Sequence, residues 1–191
     1  MVLHVVFGAY YGGSSKRSMK NLDLTNKRKN AWGTGLIFNH AIDSIQNVTV
    51  AAGFTREISE NANNTAYYRN AYGLGLAYNF VHTTYGLDLE RQVTKNQGDK
   101  RTKNEVRAIV RQGLNEDWNV YAMYAYKTDK QFGDTDRTRQ FMVGTEYYVY
   151  NQGSLKVKPF LEWQATRTKY ENSTVDRSRD FKTVIGLRAY W

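Results

Sequence analysis

The sequence predicts an all-β chain: one antiparallel up-and-down barrel of about ten strands, built to span a membrane. Three observations carry this. Apolar and polar residues alternate with period two along most of the 191 residues. Tyr and Gly each occur fifteen times and Pro once, a balance that favours strands over helices. The connections alternate between short and long, the rhythm of hairpins with tight turns at one end and loops at the other.

Taken in order, the predicted strands are 2–12, 30–41, 47–57, 66–80, 84–94, 104–114, 118–128, 138–150, 154–168 and 180–191. The first, within "VLHVVFGAYYGG", leads into the long polar stretch "GSSKRSMKNLDLTNKRK". The second and third are joined by "IDSIQ", and "ISENANNT" then separates the third from the fourth. On 66–80 one face reads Tyr72, Leu74, Leu76, Tyr78, Phe80 and the other Ala71, Gly73, Gly75, Ala77, Asn79. "VHT" turns into the fifth strand, and "KNQGDKRTK" leads to the sixth. There Val106, Ala108 and Val110 oppose Glu105, Arg107, Ile109 and Arg111. "NED" and "DKQFGDTDR" frame the seventh strand, and "NQGS" follows the eighth. The ninth sets Leu155, Val157, Pro159, Leu161 and Trp163 against Lys156, Lys158, Phe160, Glu162 and Gln164. After "KYENSTVDRSR", the last strand sets Ile185, Leu187, Ala189 and Trp191 against Lys182, Val184, Gly186, Arg188 and Tyr190. No linker or composition shift divides the chain, so 1–191 reads as one domain.

Periodicity alone does not say which face is inside. Aromatics near strand ends suit a membrane interface. Glycines at Gly8, Gly33, Gly35, Gly53, Gly73, Gly75 and Gly86 would leave holes in a dry core but keep space open in a watery lumen. The apolar face is therefore expected on lipid, in preference to a soluble lipocalin-like barrel. A bilayer tolerates no open sheet edge, so the last strand is expected to pair with the first. Mean hydropathy is −0.67, and no apolar run approaches the roughly 18 residues a spanning helix needs. No secretory signal is visible where Met1 runs into "VLHVVFGAYYGG", as in a mature secreted chain behind a start Met. The expected location is the bacterial outer membrane, as a monomer amid outer-membrane lipid and lipopolysaccharide.

The formal charge is +9, which points to an anionic partner. Short turns would face the periplasm and long loops the outside. Lys16, Arg17, Lys20, Lys27, Arg28 and Lys29 in the first long loop, and Lys100, Arg101 and Lys103 beside Lys95 in the third, then form a basic outer rim against Asp23 and Asp99. That rim could sit among lipopolysaccharide phosphates or gather anionic solutes at the mouth. Inside, the alternation places Arg107, Arg111, Lys156, Lys158, Lys182 and Arg188 as anion-binding residues, with Asp88, Glu90, Glu105, Glu146 and Glu162. These charges must be paired or hydrated. They either brace the barrel or form cationic tracks. Nucleic acid fits badly, since the basic runs lack interleaved aromatics.

Catalysis is not expected. His4, His40 and His82 all fall at the short-turn end, away from the outer half where barrel enzymes carry their sites, and their spacing matches no metal motif. Cys is absent, so thiolate ligands and disulfides are too. Asp134 and Asp136 lack calcium-loop spacing. No metal or cofactor is implied.

"LKVKPFLEWQATRT" with "RDFKTVIGLRAYW", and "NEVRAIVRQGLNEDWNVYAMYAYKTDK", resemble hairpins of the monomeric acidic-sugar porins, the oligogalacturonate- and sialic-acid-specific channels. That family has twelve strands and ends in Phe, whereas ten strands are counted here and the last residue is Trp191. The terminal aromatic also resembles the signal read by barrel-assembly machinery. The resemblance implies passive diffusion of small anionic solutes, acidic sugars among them, past the six inward cations. A rival resemblance, to ten-stranded basic adhesins, implies loops that bind acidic polysaccharide or lipopolysaccharide.

Overall fold

A computed structural model describes residues 3–13, 27–60, 66–96, 98–152, 155–172 and 177–190. Its strands are β1 (Leu3–Gly13), β2 (Lys27–Ala41), β3 (Gln46–Glu60), β4 (Ala66–Phe80), β5 (Thr83–Asn96), β6 (Asp99–Gly113), β7 (Trp118–Gln131), β8 (Asp134–Tyr147), β9 (Tyr150–Gln152), β10 (Leu155–Lys169) and β11 (Arg177–Tyr190). Each long strand pairs antiparallel with its sequence neighbour in one up-and-down sheet, and the three-residue β9 pairs with β10 beside the main path. The described residues contain no helix. Among them β1 pairs only with β2, and β11 only with β10, so the sheet has two free edges.

Local chemistry explains the turns. Asp43 accepts the Ile45 N–H at 2.9 Å, and Asn115 accepts the N–H groups of Asp117 and Trp118 at 2.9 and 2.8 Å, closing two tight turns. At the other end, Phe132 and Gly133 both have positive φ, 52° and 96°, the signature of a two-residue hairpin turn. Two stretches expected as long loops are thereby corrected. "KNQGDKRTK" and "DKQFGDTDR" are mostly the ends of β5, β6, β7 and β8. Beyond the apolar band both faces are polar, so the alternation that marks a strand disappears while its hydrogen bonds continue.

The faces are inverted relative to a soluble protein. Tyr72, Leu74, Leu76, Leu89, Val106, Val110, Phe141, Leu161 and Trp163 share one face and are all exposed. The fully buried residues, Ala31, Tyr67, Met123, Ala125, Glu146 and Lys158, occupy the other. Phe181, Ile185 and Leu187 on the β11 edge are more exposed still, at 70, 80 and 65%. Among the described residues, large apolar side chains lie outside, and only Ala31, Tyr67, Met123 and Ala125 are buried apolar groups, beside the buried charges of Glu146 and Lys158.

The ladder also gives a direction to the apolar face. Trp32, Phe54 and Tyr72 form one aromatic run, with ring centroids 5.1 and 5.0 Å apart. Phe141, Trp163 and Phe181 form another, at 6.5 and 6.1 Å. Following pairs from Phe54 through Tyr72, Arg91, Asn104, Thr128 and Arg137 reaches Lys169 on β10, six residues beyond Trp163. The aromatic band thus slides about 20 Å along the strands while crossing about 29 Å of sheet. If that band is level, the strands tilt by roughly 35°, the lower end of the range for barrels in membranes.

Candidate functional site

The inner face of β5–β11 carries three charge clusters, stacked from the turn end of the short connections to the other. The first centres on Glu146, only 3% exposed. Arg111 of β6 and Lys158 of β10 both reach its Oε1, Lys158 at 2.9 Å, and Arg188 of β11 reaches its Oε2 at 3.0 Å. Arg188 also donates to Glu162 at 2.8 Å, and Tyr121 O–H donates to the same Glu162 oxygen at 2.6 Å. The Arg111–Glu146, Tyr121–Glu162 and Arg188–Glu146 contacts each bridge alternate strands, which a sheet curled toward this face brings within reach. Lys158 further lies 5.1 Å from the Tyr148 ring, and Arg188 stacks 4.0 Å from Phe160.

Glycines make room for these rings. Tyr121 packs directly over its cross-strand partner Gly144, where a Cβ would lie 2.5 Å from the ring. Phe160 covers Gly186 in the same way, at 2.4 Å. Aromatic rings laid over opposed glycines fix both register and ring position.

The second cluster holds Arg107 between Glu105 at 2.7 Å and Asp88 at 3.8 Å, with Lys127 3.2 Å from Glu105. The third pairs Arg101 with Asp129 through two hydrogen bonds, at 2.8 and 2.5 Å, with Lys103 at 3.6 Å. The Arg101 hydrogen bond holds the Asp129 carboxyl below its usual range, and raises the Arg101 guanidinium in return.

Beside these clusters in the ladder runs a glycine wall. Gly8, Gly35, Gly53 and Gly73 pair in succession across β1–β4, and the row continues to Glu90. A Cβ at Gly73 would touch nothing within 4 Å. A cleft of about 850 Å³ runs along this wall as far as Asp88, Glu90 and Arg107. Gly86 departs from the expectation of open space: Ile109 fills it, 2.6 Å from where a Cβ would stand.

Of the six inward cations expected from sequence, Arg111, Lys158 and Arg188 converge on one carboxylate, and Arg107 lies in the neighbouring cluster. Lys156 and Lys182 are exposed and form no ion pair with a described residue. The rim residues separate more widely. Lys16, Arg17 and Lys20 lie outside the described residues. The backbone of Lys27, Arg28 and Lys29 belongs to β2, with a register shift at Lys29, and their side chains lie outside the described set. Lys100, Arg101 and Lys103 are not in a loop but on β6. Lys100 faces outward beside Lys95, whereas Arg101 and Lys103 face inward onto Asp129, so two rim charges are spent on a carboxylate. Tyr121, Lys127 and Asp129 went unread in the sequence; inward parity on β7 was the available signal.

His40 lies on the outer face of β2, 6.5 Å from Phe38, His82 sits in the β4–β5 turn, and the His4 backbone pairs with Asn39. No group of three metal-ligating side chains forms among the described residues. No family model matches the chain, and comparison with curated proteins returns no match.

Proposed function

We propose that the sheet closes, β11 against β1, into a monomeric barrel in the bacterial outer membrane, acting as a narrow passive channel for small anionic solutes such as acidic sugars. The observation that carries this is the inversion of the faces: exposed Leu, Val and aromatic side chains outside, buried Glu146 and Lys158 within. Water does not stabilise such a surface, but hydrocarbon does. The oblique aromatic band supports strands tilted through an interface. The glycine wall beside inward Arg and Lys supports a lumen with open space along one side and fixed charge along the other. The solute would exchange hydration for Lys156, Lys182 and the outer edges of the paired cations, without a cofactor.

Single-channel recording in a planar bilayer tests this. Steady conductance steps with an anion preference at low salt are expected; a folded, inserted protein without steps would remove the channel. A second reading draws on the Glu146 cluster, whose mutual pairing could plug one end. It is a surface-recognition barrel whose basic loops bind acidic polysaccharide or lipopolysaccharide. It requires a closed conductance, with heparin binding that weakens when Lys27, Arg28 and Lys29 are neutralised.

A further inference from the structure

Beyond the apolar band the outer face does not simply become polar. The three segments Arg137-Thr138-Arg139, Arg167-Thr168-Lys169 and Arg177-Ser178-Arg179 lie on neighbouring strands β8, β10 and β11. In the ladder Arg139 pairs with Arg167, and Arg167 with Arg179; Arg137 pairs with Lys169, and Lys169 with Arg177. Alternation turns all six outward, and all six are exposed. The patch is a two-by-three array of cations with no acid in it, about 10 Å across and about 7 Å along the strands. Among the described residues, Arg137, Arg139, Arg167, Lys169 and Arg179 form no ion pair. Glu171, beside Arg137 and Lys169 at the upper edge, accepts the Thr135 N–H.

Like charges directly opposed across a ladder destabilise it. Three such pairs, Arg139–Arg167, Arg167–Arg179 and Arg137–Lys169, call for an anion. The surroundings say which kind. Phe141 and Phe181 lie one outward position below Arg139 and Arg179, and Trp163 two below Arg167, so the array borders the aromatic band. Below that band a shallow apolar groove of about 490 Å³ continues over Ala122, Val143 and Leu161.

Resting on the membrane reading above, we infer that this array is a docking site for a phosphorylated glycolipid of the outer leaflet. Its phosphates would lie on Arg139, Arg167 and Arg179, and its acyl chains would run past Trp163 into the groove. Guanidinium groups bind phosphate oxygens in forked pairs, and the aromatic band marks the depth at which headgroups give way to chains. The site is separate from the inward clusters, which lie on the opposite face of the same strands.

The test uses the full chain folded in nonionic detergent, with purified bis-phosphorylated lipid A as probe and retained lipid counted by native mass spectrometry. The triple variant R139Q/R167Q/R179Q is expected to lose at least about tenfold in affinity. The charge-keeping R139K/R167K/R179K, which loses the forked geometry, should fall between the parent and the glutamine variant, and K95Q/K100Q, outward cations elsewhere, should match the parent. Dephosphorylated lipid should bind weakly, and excess inorganic phosphate should not displace lipid A. Equal lipid retention by parent and triple glutamine variant overturns the site. Displacement by inorganic phosphate overturns the lipid as its occupant. A parallel arm mixes the chain with phosphatidylcholine vesicles: failure to insert overturns the membrane reading itself, whereas insertion with unchanged lipid A binding overturns this inference alone.

Discussion

Replacing Glu146 with Gln should be the most damaging single change on the inner face. The substitution keeps size and one carbonyl acceptor but removes the charge that three cations share. Lys158 and Glu146 are 6 and 3% exposed, so their pair is desolvated on both sides, and breaking such a pair costs roughly 3–5 kcal/mol. Arg111 and Arg188 are 41 and 37% exposed, and water screens them, so each adds at most about 1 kcal/mol. Because the amide still accepts one hydrogen bond, the lower end of the sum applies: about 3 kcal/mol. Guanidinium unfolding of the refolded chain in detergent, followed by Trp emission, measures it. The double variant E146Q/K158M should recover part of the loss, since it takes the buried ammonium out together with the carboxylate charge it faced. A loss under about 1 kcal/mol for E146Q, or a double variant no better than the single, would refute a desolvated hub.

Other outcomes follow from neighbouring geometry. Gly144→Ala drives a Cβ into the Tyr121 ring and pulls its hydroxyl from Glu162, for a loss of about 1–3 kcal/mol in the same assay; Thr183→Ala, at an exposed position of β11, is the control. Asp129 is held below its ordinary pKa by Arg101, so its stabilisation is complete above the usual aspartate value of about 4 and fades as pH falls through the depressed native value. Asp129→Asn should therefore cost at most about 1 kcal/mol at neutral pH and flatten the acid limb of the stability curve; an unchanged limb contradicts the pairing. Lys156→Gln with Lys182→Gln removes the two inward cations without described ion partners, and should lower anion preference in reversal-potential measurements without altering stability. An unchanged reversal potential would take these residues out of the conduction path.

The strands and their faces were legible because two residues per repeat is all a strand needs. The alternation at 66–80 and 104–114 gives the same faces as the ladder, down to Leu74 opposite Leu89 and Val106 beyond it. Where that alternation stops, so does legibility. The polar ends of β6 and β7 read as loop, which hid the inward turn of Arg101, Lys103 and Asp129. The Glu146 cluster was legible as a set of inward charges but not as a hub, because its cations lie 12, 35 and 42 residues away and meet only through the curl of the sheet. The outward array was hidden differently: each strand contributes two cations two residues apart, and only the register stacks them. Closure is a longer-range property still, set by whether β1 and β11 meet.

The central claim is that hydrocarbon, not water, covers the Leu, Val and aromatic face. The absence of Cys allows single nitroxide labels to be placed cleanly at Leu74, Leu89, Val106 and Val143, and at the inward neighbours Gly73, Glu90, Glu105 and Met142. In reconstituted vesicles, the outward labels should collide strongly with oxygen and weakly with a water-soluble nickel chelate, and the inward labels the reverse. Equal nickel accessibility on both faces, or the reverse pattern, would contradict the account.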